Sequence, residues 1–279
     1  MDNRFHMFRQ RLIVTAIIIP LAIIVIYSGS YIYQITIITL LVIAAWEYIK
    51  LLRKIDLNPA TPMVILGVIL LPLIRALVQF NYGSAALTLL IFGTAAYHII
   101  QYERTDSNPS ADFSASLSVI LYIGFLGSYL ISLRSLPDGR WWTFLALPTV
   151  WIADSGAYLI GSAFGKHKLA AKTSPNKTWE GYFGGIITGI LGAIGLSLLY
   201  QNSFQAGLSI TPLEAGFLGL IISAAIPLGD LTESMIKRQS STKDSGTLFP
   251  GHGGIFDRLD SLFWAAPLGY YLILHIFLQ

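Results

Sequence analysis

Residues 229–260 read GDLTESMIKRQSSTKDSGTLFPGHGGIFDRLD, and two apolar runs frame them, LEAGFLGLIISAAIPL at 213–228 and LFWAAPLGYYLILHIFL at 262–278. The contrast decides the fold. Apolar runs of about 17–22 residues recur along the chain, the length needed to cross a bilayer. The polar stretch carries Asp230, Glu233, Lys237, Arg238, Lys243, Asp244, His252, Asp257, Arg258 and Asp260, in a chain with only 12% charged residues. Charge this dense beside hydrocarbon has to lie in water or in a polar cavity. The mixture is informative too. Carboxylates can hold a divalent cation, cations can hold phosphate, and Gly253-Gly254 lets the backbone approach a ligand closely.

Composition agrees with a membrane protein. Of the 279 residues, 54% are hydrophobic, and the mean hydropathy is +0.64. Soluble domains carry about 25% charged residues, twice the share found here. The absence of cysteine excludes disulfides and thiolate metal sites. A formal charge of +3 is too small to imply a nucleic-acid partner. The first apolar run is too long and uninterrupted for a cleaved signal peptide.

Nine spans are expected, at about 12–28, 31–49, 61–80, 84–102, 113–133, 141–162, 181–200, 211–229 and 261–278. With the N-terminus in the cytoplasm and the C-terminus outside, fifteen of the 18 Lys and Arg fall on cytoplasmic segments. Only Arg134 and Arg140 fall outside, and Arg75 lies within a span. That asymmetry is what positive charge bias produces. The fold expected is therefore all-α and polytopic. Residues 1–112 read as a scaffold of four helices, and 113–279 as the catalytic region, with cytoplasmic loops at 163–180 and 230–260. The scaffold spans offer little beyond Glu47 and Arg75.

A second constellation lies at 151–185, WIADSGAYLIGSAFGKHKLAAKTSPNKTWEGYFGG. Asp154 sits inside a span, where a carboxylate is either functional or paired to fix helix packing. Small neighbours at 153 and 155–157 admit a helix or a ligand. Lys166, Lys168, Lys172 and Lys177 make a basic juxtamembrane loop. Ser174 and Thr178 can cap a helix start, and with Lys177 they can receive a phosphate. A simple capped entry to the next span explains them equally well. The glycine-rich stretch 184–195 offers close helix contact, within one chain or across a homodimer.

Ser234, Lys237-Arg238, Lys243-Asp244, Gly246, Phe249-Pro250, His252-Gly253-Gly254, Asp257-Arg258 and Asp260 stand at the spacing of the phosphatidate cytidylyltransferase (CDP-diacylglycerol synthase) signature, and the chain resembles that family. DSGAY, then FGK, then SPNKTWEG with Gly184-Gly185 extends the resemblance over at least residues 150–265. Asn176 departs from it, since many members have Lys there. Trp46-Glu47-Tyr48 matches at the end of the second span.

The resemblance implies an enzyme that joins CTP to phosphatidic acid at the bilayer, releasing pyrophosphate and serving phospholipid biosynthesis. Two anionic substrates must then be brought together, which asks for divalent cations and fixed Lys or Arg. Asp230 and Asp257 are the first candidates for Mg²⁺ or Mn²⁺ ligands, with Glu233 and Asp260, three residues beyond each, as second choices. A monovalent cation is a further candidate. Lys237, Arg238, Lys243 and Arg258 are expected on one substrate's phosphates, with Asp244 beside them, and Lys166, Lys172 and Lys177 on the other's. His252 is a candidate for proton transfer or for a loop-structuring bond. Asp154 would hold a metal or orient a lysine. The charge bias puts both polar loops, and hence the site, on the cytoplasmic face of the cell's inner membrane. Competing readings are a transporter or channel built on Asp154, Glu47 and Arg75, a CDP-alcohol phosphotransferase, whose usual pattern is absent, and a catalytically idle family member.

Overall fold

A chain segment with no water around it must satisfy its own amides and carbonyls, so the apolar runs fold as helices. The computed structural model describes residues 16–78, 82–104, 108–204, 210–246 and 253–278. The order is α1 (Ala16–Ser28), α2 (Ser30–Arg53), α3 (Thr61–Val78), α4 (Gly83–Tyr102), α5 (Pro109–Val119) and α6 (Leu126–Arg134), then α7 (Gly139–Phe164), a hairpin of β1 (Lys168–Ala170) and β2 (Ser174–Thr178), α8 (Trp179–Phe204), α9 (Pro212–Gln239), α10 (Phe256–Leu259) and α11 (Leu262–Leu272). A π-helical stretch, Ile120–Phe125, fuses α5 and α6 into one rod. A second, Ile273–Phe277, prolongs α11.

Seven helices among the described residues are long and apolar enough to cross a membrane: α2, α3, α4, the α5–α6 rod, α7, α8 and α9. The protein is an all-α polytopic membrane protein, as its apolar runs indicate. Helices α1 and α11 coincide with the two remaining expected spans but are shorter.

The 229–260 stretch is not one loop. Helix α9 continues ten residues past Gly229 and carries Asp230, Glu233, Lys237 and Arg238. The reason is local. Residues 230–239 contain neither Gly nor Pro, and Lys237 and Arg238 in the last turn complement the helix dipole. Nor is 163–180 a plain loop, since it folds back as a hairpin pairing Lys168 with Thr178 and Ala170 with Ser174. Ser174 therefore opens a strand and caps no helix. Thr178 does cap α8, its Oγ1 accepting from the Gly181 amide at 3.2 Å.

The described residues form two compact units, one reaching to Ile131 and including Ile236–Leu259, the other Ser132–Met235 with the chain from Asp260 on. In the first unit α2 packs on α3, and the Tyr33 hydroxyl donates to the Leu130 carbonyl at 3.0 Å. Arg75, buried in α3, stands over the Tyr129 ring at 3.8 Å, a cation–π contact in place of water. Asp112 and Ser116 on α5 receive the amides of Asn58 and Ala60 at 2.6 and 2.8 Å, pinning the α2–α3 connection.

In the second unit α7 and α8 form the most extensive helix pair. Their glycines set its closeness. A Cβ on Gly156 would strike Thr188, and one on Gly189 would strike Ser223 of α9. Gly184, Gly185 and Gly192 meet Ile160, Ala153 and Ala157, and Ile152 of α7. These glycines of the 184–195 stretch thus serve packing inside the chain. Pro148 has no N–H to give the Phe144 carbonyl one turn back. The Tyr200 hydroxyl of α8 supplies that donor at 3.1 Å.

Candidate active site

The second unit holds a cavity of about 570 Å³. Helix α7 contributes Asp154 and Tyr158 to its wall, the hairpin contributes Ser174, Asn176, Lys177 and Thr178, and α9 contributes Ser223, Pro227 and Asp230. The hairpin reaches the cavity because β2 ends directly at the cap of α8. Glu180, in the first turn of α8, accepts the amides of Lys166 and His167 at 3.1 and 3.2 Å and the His167 ring Nδ1 at 2.6 Å. One carboxylate therefore ties the entry of the hairpin to the helix that follows it.

Lys177 and Asp230 form an ion pair through Nζ and Oδ2. The other oxygen of Asp230 accepts from Ser261 Oγ at 2.9 Å. Gly229 makes this approach possible, since a Cβ there would lie 2.9 Å from Asp260 C and from Ser261 Cα. Asp260 itself directly follows the last residue of α10. Its Oδ1 accepts from the Ser261 amide at 2.7 Å. Burial, and then the charges of Asp230 and Glu233, push its carboxyl well above the ordinary aspartate range. Glu233 is buried one turn after Asp230.

The first unit carries a separate polar cluster. Asp257 Oδ2 accepts from the Ser245 amide at 2.9 Å, from Ser245 Oγ at 2.8 Å and from the Gly254 amide at 2.7 Å. Its Oδ1 receives Lys237 Nζ at 2.6 Å. Gly253 has φ +82°, a left-handed turn, and a Cβ there would meet the Asp257 carboxylate. A Cβ on Gly254 would instead strike the Glu47 carboxylate and Ser245 Oγ.

Glu47 belongs to this cluster; the sequence offered it as an intramembrane charge of a transport path and within Trp46-Glu47-Tyr48, not as part of the site. Its Oε2 accepts from the Phe256 amide at 2.9 Å and Ser245 Oγ at 3.1 Å. Tyr48 stacks on Phe256 with centroids 5.1 Å apart. A carboxylate at the end of an apolar span was the available signal, and reading the first four spans as scaffold passed over it.

The remaining expected residues divide. Lys166 and Lys172 are exposed and do not line the cavity. Arg238, Lys243, Asp244 and Arg258 are exposed as well. His252 lies outside the described residues, as do Phe249 and Pro250.

A polytopic helical protein whose largely apolar cavity carries a lysine and two aspartates has the equipment for chemistry on an anionic substrate at a membrane. The profile of the cytidylyltransferase family matches residues 9–277. The chain belongs to the cytidylyltransferase family and is a nucleotidyltransferase. It is similar to a phosphatidate cytidylyltransferase of Synechocystis, 32% identical over 295 residues that cover 95% of this chain and 96% of the relative. One from Staphylococcus haemolyticus is 33% identical over 236 residues, 85% of each chain. One from Haemophilus influenzae reaches 51% over 124 residues, 44% of this chain and 42% of the relative.

Proposed function

We propose that the chain transfers CMP from CTP to phosphatidate, giving CDP-diacylglycerol and pyrophosphate. The observation that carries this reading is the cavity of the second unit, which sets Lys177 against Asp230 and Asp154 beside small hydroxyl and amide side chains. An oxygen of the lipid phosphate forms a bond to the α-phosphorus of CTP. The bond from that phosphorus to the bridging oxygen breaks in line, and its electron pair leaves on pyrophosphate. No covalent enzyme intermediate is needed, so the protein contributes position and charge.

The donor set fits a divalent cation. The charged side chains lining the cavity are two carboxylates and one lysine, so cations are in the minority on this wall. One lysine does not offset the charge of a triphosphate and a phosphate monoester together. Hard carboxylate oxygens suit Mg²⁺ or Mn²⁺. Among the described residues no three His, Asp or Glu side chains converge on a preformed cage. That suits Mg²⁺, which takes one or two carboxylates and completes its shell with water and substrate phosphates. Asp230 and Asp154 would be the ligands on the cavity wall, with Glu233 and Asp260 near Asp230. When bound, the cation would neutralise phosphate charge and draw charge from the leaving group. Asp257, in the polar cluster of the first unit, is a further carboxylate for the reaction on the strength of the family signature. Donors from Ser245 and Gly254 hold its Oδ2, and Oδ1, which receives Lys237, would be the oxygen offered to a cation or a substrate.

Lys177 turns from Asp230 to a substrate phosphate, and Ser174 and Thr178 lie beside it. The apolar walls given by Ala153, Ala157, Tyr158 and Ile226 suit the lipid backbone. The charge bias of the loops puts this chemistry on the cytoplasmic face of the inner membrane.

Formation of labelled CDP-diacylglycerol by the purified chain and by Asp230→Asn tests the reading. A loss of at least ~100-fold in kcat, with the variant still folded, is the expected result. Near-normal turnover across Mg²⁺ concentrations in that variant removes Asp230 from the site.

A further inference from the structure

Glu47 is 6% exposed, near the end of a membrane-crossing helix. A carboxylate there is costly unless it is supplied with donors, and an apolar side chain would serve packing better. Among the described residues, Ser245 Oγ and the Phe256 amide donate to it. Ser245 and Gly254 also supply hydrogen bonds to Asp257 Oδ2, two from Ser245 and one from Gly254. Ser245 Oγ lies within hydrogen-bond distance of both carboxylates, 3.1 Å from Glu47 and 2.8 Å from Asp257, yet has one proton to give. Gly246 and Gly254 press on Glu47 so closely that a Cβ on either would strike its carboxylate. The Tyr48–Phe256 stack holds the same joint from the apolar side.

We infer that Glu47 is a positioning residue for the transfer step: by gripping Ser245 and Phe256 it aims Asp257, with Oδ2 fixed and Oδ1 presented to Lys237. The inference rests on the proposed part of Asp257 in the reaction. What matters is the reach of an acceptor oxygen to two donors, not the negative charge itself. A neutral side chain of equal length should therefore serve, and a charged one shorter by a methylene should not. A misplacement near 1 Å can cost about 100-fold in rate.

The test compares Glu47→Gln, Glu47→Asp, Glu47→Ala and Asp257→Asn in the full-length protein, with kcat and KM referred to the folded fraction measured by thermal melting. Glu47→Gln is expected to keep kcat within ~3-fold. Glu47→Asp and Glu47→Ala are expected to lose ~10–100-fold in kcat, with KM for CTP within ~2-fold. A purely structural Glu47 would lower the melting temperature and leave kcat per folded molecule unchanged. If Glu47→Ala does not fold, the contrast between Gln and Asp decides. Wild-type kcat in Glu47→Asp, or equal losses in Gln and Asp, overturns the inference while an inactive Asp257→Asn leaves the assignment of Asp257 standing. An active Asp257→Asn overturns both.

Discussion

Lys177 of β2 and Asp230 of α9 pair across the wall of a cavity, 53 residues apart in the chain. Their side chains are 27% and 22% exposed, so the pair is neither a solvated surface contact nor sealed in the core. That intermediate burial suits the proposed exchange of the aspartate for a substrate phosphate. Lys177→Met is predicted to raise KM for one anionic substrate by ~10-fold, and Lys177→Arg by less, because charge persists while the point-like ammonium is replaced by a fork. Initial rates with CTP varied at fixed phosphatidate, and the reverse, identify the substrate. Unchanged KM for both removes Lys177 from binding.

Tyr200 and Pro148 make a prediction about stability alone. Tyr200→Phe leaves the Phe144 carbonyl without the donor that Pro148 cannot provide. The cost should be about 1 kcal/mol. A lower melting temperature with unchanged kcat is expected, and loss of turnover without loss of stability would show that this joint serves the reaction.

Asp260 sets the pH dependence of the apo protein. Its carboxyl is raised in the fold by burial and then by Asp230 and Glu233, above an unfolded value of about 3.9. The folded chain therefore binds this proton more tightly than the unfolded chain. The stability linked to it is fully present below the unfolded value and is lost as pH rises through the raised folded value. In chelator, the melting temperature should fall over that window, and Asp260→Asn should flatten the slope. The same slope in both proteins would assign it to other groups. Mg²⁺ bound near Asp230 should also flatten it, because a cation favours the ionised carboxylate.

The helical membrane fold was legible in residue order because apolar runs of spanning length leave the backbone no alternative. The polar stretch stood out by its charge and was misread as a shape. Helix α9 runs through Asp230 to Gln239, since nothing in those ten residues breaks a helix. The hairpin at 168–178 was hidden because its strands are short and polar and show no alternation. Thr178 was read as a cap and is one. Glu47 was noticed as a charge in a span but not joined to this cluster, because its partners, Ser245 and Phe256, lie 198 and 209 residues away, and no local pattern reports such a contact. The intramembrane charges that suggested transport have other partners here: Glu47 holds a backbone amide, and Arg75 stands on an aromatic ring.

The most direct measurement is pyrophosphate release by the detergent-purified protein with phosphatidate and Mg²⁺, offering each of the four ribonucleoside triphosphates in turn. The account predicts release with CTP that requires both lipid and metal and falls by at least ~100-fold in Asp230→Asn. Release that ignores phosphatidate, or no release with any nucleotide from protein shown to be folded, would contradict it.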